Sequence, residues 1–196
     1  MRAFIGIEID EDLRGALDAA CSTIRETSPP WIDQKWVPAQ NLHITLKFFG
    51  DISVDAAETL AIDLADALKD ISTFVLPVDR FVAAVPGTKT ARMLWTTFSD
   101  PNDYCTDLAS RVEDMSARYS VLPDSRSFTP HITLCRARRP RSFSAEEIAC
   151  ETATAFLYTQ NITKPSVSVQ TVTVFKSVLT RNRPFYERVS TVRLAD

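Results

Sequence analysis

The tetrad His-Ile-Thr-Leu occurs twice in this chain, at His43–Leu46 and at His131–Leu134, and these two histidines are the only ones present. A tetrad repeated 88 positions apart, each copy at the start of an apolar run, marks an internal duplication. On an extended strand successive side chains alternate faces, so His43 and Thr45 project to one side and Leu42, Ile44 and Leu46 to the other. The second copy repeats the pattern, with His131 and Thr133 opposed to Ile132 and Leu134. Each strand therefore has an apolar back for a core and a front bearing one imidazole and one hydroxyl. The duplication predicts two α+β lobes related by a pseudo-twofold, each contributing one strand to a shared cleft.

The rest of the chain supplies the elements such lobes need. Strands are expected at about 2–9, 35–37, 42–49, 74–82, 92–98, 130–136, 154–158, 167–178 and 185–194. A helix at about 11–26 starts from Asp10 as N-cap and shows Leu13, Leu17, Ala20, Cys21 and Ile24 on one face. Pro29-Pro30 ends it. A second helix, about 54–70, follows Ser53, and a third, about 101–119, has Ser99 or Asp100 as cap and Pro101 in its first turn. The apolar face of the third is Tyr104, Leu108, Val112 and Met115. A short helix opens at Ser144, with Glu147 placed for a capping box. No linker divides the 196 residues, so they are read as one bilobal domain.

Composition excludes several classes. Apolar residues at 45% and charged residues at 24% suffice for a core without metal or disulfide staples. No apolar run reaches the roughly 18 residues of a membrane span, and the N-terminus turns acidic too early for a secretory signal. A cytoplasmic protein, probing no membrane and acting as a monomer, is expected. Cys21, Cys105, Cys135 and Cys150 form no Cys-x-x-Cys pair and read as small buried hydrophobes. A net charge of -3 argues against coating long nucleic acid but leaves room for recognition of one phosphate by local cations. Arg136, Arg138, Arg139 and Arg141 cluster directly behind the second tetrad.

Two opposed imidazoles suit in-line cleavage of a phosphodiester. One, neutral, takes a proton from the attacking oxygen; the other, protonated, gives one to the leaving oxygen. Histidine's free pKa near ~6.5 lets both forms coexist near neutrality. Thr45 and Thr133 are candidate donors to the non-bridging oxygens. A catalytic zinc needs about three protein ligands, and only Cys135, by alternation, shares a face with a histidine, so no metal or other cofactor is expected. Symmetry alone leaves the acid and base roles exchangeable.

The chain resembles the RNA 2′,3′-cyclic phosphodiesterases of the two-histidine phosphoesterase superfamily, the LigT-like or 2′-5′ RNA ligase family. The resemblance runs through Arg2–Ile7, Lys35–Pro38, Asn41–Gly50, Met93–Trp95, Phe128–Arg136 and a C-terminal stretch containing Val172, Phe175, Ser177 and Tyr186. It implies a bilobal fold of two antiparallel sheets, with helices outside and a central cleft. It implies metal-free opening of RNA-terminal 2′,3′-cyclic phosphates to 2′-phosphates, with His43 as acid on the 3′-oxygen and His131 as base on water. Arg136 matches the arginine that clamps phosphate, although strict alternation puts it on the Ile132–Leu134 face unless a bulge re-aims it. Lys47, on the His43 face by alternation, is a second candidate cation, and Phe49 and Tyr186 are candidates to stack on the terminal base. The expected partner is thus an RNA end or a small cyclic nucleotide. Alternatives are 2′-5′ ligation at the same site and, in another class, non-catalytic RNA-end binding.

Overall fold

The computed structural model describes residues 1–84, 90–159, 165–179 and 184–196, with only the backbone course at 84, 90 and 140–148. Strand β1 (Arg2–Glu8) leads through Ile9 to helix α1 (Glu11–Thr27). The Asp10 carboxylate accepts from the Leu13 amide at 2.7 Å, so α1 starts where the sequence places its cap. A short strand β2 (Lys35–Trp36) precedes β3 (His43–Asp51), and Ser53 caps helix α2 (Val54–Leu68). Strands β4 (Phe74–Ala84) and β5 (Thr90–Phe98), helix α3 (Tyr104–Ser116) and β6 (His131–Ser142) follow. The chain ends with α4 (Phe143–Thr159), β7 (Ser166–Val169), β8 (Thr171–Leu179) and β9 (Pro184–Arg193).

The strands line up as β7-β4-β5-β6-β3-β1-β8-β9, with β2 pairing on β6. This order is symmetric about its middle. One half-sheet is β3-β1-β8-β9 and the other β6-β5-β4-β7, and they meet where Ile44 faces Ile132 in an antiparallel pair. The two tetrads are therefore neighbours at the centre of the molecule. Behind them Ile44, Leu46, Ile132 and Leu134 are buried in one core. Helix α1 packs on α4, which covers β4 and β5; α2 packs on α3, and they cover β9 and β3.

Three elements differ from the sequence reading. Residues 154–158 are not a strand. They finish α4, a 17-residue helix in which Ala149, Cys150, Ala153 and Leu157 make a buried face at helical spacing. The Thr, Phe and Tyr residues there favour strand locally, but packing against α1 and β4 decides. The side chains of Ser144 and Glu147, the expected capping box, lie outside the described residues. Helix α3 starts at Tyr104 rather than 101, because Asp103 takes the left-handed conformation (φ 56°) and delays the first turn. Asp100 still serves as a cap, its carboxylate accepting from the amides of Cys105 and Thr106. Tyr104, expected on the buried face, is exposed, and Cys105 and Ala109 are buried instead.

The expected strand at 167–178 is two strands in different half-sheets. β7 pairs with β4, whereas β8 pairs with β1, and the chain crosses between lobes at Gln170. The sequence carries this signal. Val167 and Val169 alternate in one phase and Val172 and Val174 in the other, so the slip at Gln170 marks the break.

Candidate active site

Each imidazole is held the same way. His43 Nδ1 donates to the Asn41 carbonyl at 2.7 Å, and His131 Nδ1 donates to the Thr129 carbonyl at 2.7 Å. In both cases the acceptor lies two residues upstream, where the chain enters the strand. Using Nδ1–H this way leaves Nε2 as the working nitrogen on each side. At His43, the Thr45 hydroxyl donates to Nε2 at 3.0 Å.

The two rings rest on different supports. His43 lies 4.8 Å from the Phe4 ring and 5.2 Å from Tyr186, which meets it edge-on. Gly6 admits this packing: a Cβ there would fall 2.7 Å from the Ile44 carbonyl oxygen and 3.3 Å from His43 Cδ2. His131 stacks on Trp95 at 3.9 Å. Phe4, Phe175 and Trp95 are supports that a search for polar residues passes over. Phe4 and Trp95 stand on the strands next to the tetrads and Phe175 one strand further out, on β8.

Burial is the main reason both imidazoles lose proton affinity. It brings His43 down to about 4, with the His131 and Arg136 charges adding to the fall and the Asn41 carbonyl opposing it. His131 is also lowered, first by burial and then by Arg136 and Arg126, against its bond to Thr129. Both shifts favour the neutral ring near pH 7.

Each tetrad strand has two register shifts, and the bulge nearer its histidine decides the remaining assignments. Between β1 and β3, Ile5 pairs with Lys47 and Gly6 with Thr45, so Leu46 is the extra residue. Between β5 and β6, Leu94 pairs with Cys135 and Trp95 with Thr133, so Leu134 is extra. The strand faces swap beyond each bulge. Arg136 thereby returns to the histidine side, exposed, with Nη1 3.2 Å from Met93 Sδ, and its charge acts on His43, His131 and Tyr186. Cys135, expected on the His131 face, is instead fully buried behind the sheet.

The same swap corrects two candidates. Lys47 does not face the cleft. It is 2% exposed, and its ammonium donates to Glu113 on α3, to Asp124 and to the Leu122 carbonyl. Burial alone would lower its pKa, but the bonds to Glu113 and Asp124 outweigh that and hold it above its ordinary value. Phe49 is likewise buried, edge-on to Tyr119. Phe48 takes the cleft side instead, 58% exposed and 5.6 Å from Phe4. Tyr186 is in place beside His43, at the wall of a hollow of about 210 Å³ that includes Glu8, Arg14, Phe175 and Arg188. Arg188 closes on Glu8 through two nitrogens.

Arg126, a cation overlooked in the sequence, acts on His131 and has no hydrogen-bond or ion-pair partner among the described residues. No three His, Cys, Asp or Glu side chains converge as a metal-ligand set among those residues. All four cysteines are buried, as the sequence reading expects. No helix among the described residues is long and apolar enough to cross a membrane. The side chain of Arg141 lies outside the described residues.

Known proteins place this arrangement. The chain is 27% identical to an RNA 2′,3′-cyclic phosphodiesterase of Aquifex aeolicus, over 95% of its own length and 97% of that protein. It is 26% identical to one from Methanothermobacter thermautotrophicus, over 99% of each. The crystal structure of E. coli LigT complexed with 3′-AMP superposes with a TM-score of 0.74 at 22% identity, covering 100% of this chain and 98% of that one, which shows the common fold. The model of the LigT-like phosphoesterases matches two segments, residues 7–95 and 99–186, one around each histidine tetrad. With nearly its whole length so matched, twin tetrads included, this chain belongs to the LigT-like phosphoesterase family.

Proposed function

We propose that this protein hydrolyses 2′,3′-cyclic phosphates at RNA ends to 2′-phosphates, using His43 and His131 as acid and base without a metal. The observation that carries the reading is the matched anchoring of the two imidazoles. Each Nδ1–H is committed to a backbone carbonyl, leaving two Nε2 atoms beside the central Ile44–Ile132 pair, with the Arg136 charge acting on both rings. The names of the curated relatives supply the substrate class.

In this reading His131 Nε2 removes a proton from water as its oxygen attacks phosphorus. The P–O3′ bond breaks, and Nε2–H of His43 protonates the departing 3′-oxygen. Arg136 and the two threonine hydroxyls donate to the non-bridging oxygens as charge builds on them. A five-membered cyclic diester is strained, so this donor set suffices without a Lewis acid. The substrate anion also supplies the protonated acid. Next to it the imidazolium form of His43 is favoured, against the burial that lowers its proton affinity. Tyr186, Phe175 and Phe48 frame the terminal nucleotide on the His43 side.

The test is turnover of a short RNA ending in a 2′,3′-cyclic phosphate, in EDTA, by wild type, His43→Ala and His131→Ala. The expected result is 2′-phosphate formation reduced about 10³-fold or more in each variant. Binding without turnover by the wild type would instead make the protein an RNA-end binder.

A further inference from the structure

The charges on this acidic chain are not evenly matched. Arg14, Arg118, Arg188 and Lys176 each close on a carboxylate. Lys35, Arg136, Arg138 and Arg139 have no carboxylate partner among the described residues, and all four lie on the β2–β6 pair. Lys35 stands directly opposite Arg136 across that pair. Like charges in this position repel, and such pairs destabilise a sheet unless an anion lies between them. Arg138 and Arg139 follow Arg136 where β6 leaves its regular register with β5, five residues from Arg136 to Arg141 opposing the two from Met93 to Ala91.

Arg138 is set in place for a ligand. Its Nε donates to the Asp33 carbonyl at 2.9 Å, and its backbone amide donates to Gln34 Oε1 at 2.8 Å. The terminal guanidinium nitrogens have no acceptor among the described residues. They border an open hollow of about 610 Å³ lined by Asp33, Gln34, Arg138 and Arg139. The exposed Asp33 carboxylate is the one acidic group in that lining.

We propose that the β2–β6 edge is the track for the RNA strand leading to the terminal nucleotide, with Lys35, Arg138 and Arg139 taking successive upstream phosphodiesters. The row begins at Arg136 in the catalytic cleft, so its polyanion is continuous with the substrate. A single nucleotide is too short to reach it. This inference rests on the hydrolase reading for the identity of the RNA end. It makes oligoribonucleotides, rather than mononucleotides, the preferred substrates.

The probe is a fluorescent pentaribonucleotide with a 2′-phosphate end, compared with a nucleoside 2′-phosphate, binding to wild type and to Lys35→Gln/Arg138→Gln/Arg139→Gln. Loss of three phosphate contacts should reduce the slope of log K against log salt by about 2 for the pentamer and weaken it roughly tenfold or more at low salt. Mononucleotide binding should be unchanged, which also reports an intact fold. Asp33→Asn should shift the pentamer the other way. Equal weakening of both ligands, or an unaltered pentamer, overturns the track. Turnover of the two cyclic-phosphate substrates separates the readings: a wild type that hydrolyses neither but keeps the length-dependent binding retains the track and loses the hydrolase.

Discussion

The two halves of the site share one backbone plan and differ in what it presents. Position for position, Asn41 answers Thr129, Leu46 answers Leu134 as the bulged residue, and the side chains beyond the bulge differ completely. The first half offers Phe48 to the cleft and buries Lys47. The second offers Arg136 and buries Cys135. The flanking strand changes in step: Phe4 opposite Phe48 becomes Met93 opposite Arg136, and Gly6 opposite Thr45 becomes Trp95 opposite Thr133. The duplicated plan keeps the two imidazoles symmetric while one side is aromatic and the other cationic. A nucleotide has the same asymmetry, with a base at one end and a phosphate at the other.

Arg136→Gln should break this comparison most strongly. Losing a charged donor to the reacting phosphate is expected to lower kcat/KM about 100-fold. The pH profile should move as well. In the proposed mechanism the productive free enzyme has one imidazole neutral and one protonated, so kcat/KM should peak between their two pKa values, both lowered from the ordinary value. Arg136 lowers both, so its removal should shift both limbs to higher pH. A loss of rate with unmoved limbs would separate Arg136 from the imidazoles.

Lys47→Met tests the buried partner of the first bulge. The substitution strands Glu113 against a buried face and releases Asp124, and should cost about 2–4 kcal/mol in urea unfolding. Glu113 and Asp124 keep some access to water, which limits the loss. Because the fold raises the Lys47 pKa, its contribution is complete below the ordinary lysine value near ~10.4 and fades only above it. The deficit should therefore be equal at about pH 6 and about pH 9. KM should move little, in contrast to Arg136→Gln. A large KM effect with native stability would return Lys47 to the cleft.

These residues also show what the sequence could and could not disclose. The duplicated tetrads place both histidines and both threonines, and the apolar periodicities place α1, α2 and most strands, because local pattern decides them. Lys47, Phe49 and Cys135 were each read one face wrong for a single reason. A bulge adds one residue to the count without a mark in composition, and the side chains that follow, up to the next register shift, change sides. Arg136 carried the only hint, as a residue whose resemblance and alternation disagreed. The strand predicted at 154–158 failed differently, since a helix neighbour overrode a local preference.

Phe48→Ala and Phe49→Ala sharpen the bulge argument with adjacent residues of one type. Phe48 is exposed on the cleft side, so its loss should raise KM for an RNA end about tenfold, as for a lost stacking ring, with little change in stability. Phe49 is buried, so its loss should cost about 3–5 kcal/mol of stability with KM nearly unchanged. Exchanged outcomes would mean that the strand runs without its bulge.

The smallest effect is expected at Trp95, and it tests how the second half supports its histidine. Trp95 stacks on His131 at 3.9 Å, yet its buried Nε1–H meets no acceptor among the described residues. An unpaired buried donor costs on the order of 1–3 kcal/mol, which offsets much of what the larger ring gains by burial. Trp95→Phe keeps an aromatic plane under the imidazole and removes the unmet donor. Thermal unfolding should then stay within about 1 kcal/mol of wild type, and kcat/KM within about twofold. Trp95→Ala removes the plane itself and should lose activity well beyond that. If Trp95→Phe were as damaging as Trp95→Ala, the indole nitrogen would be a substrate donor, and the second half would hold a polar contact that Phe4 and Gly6 cannot supply in the first.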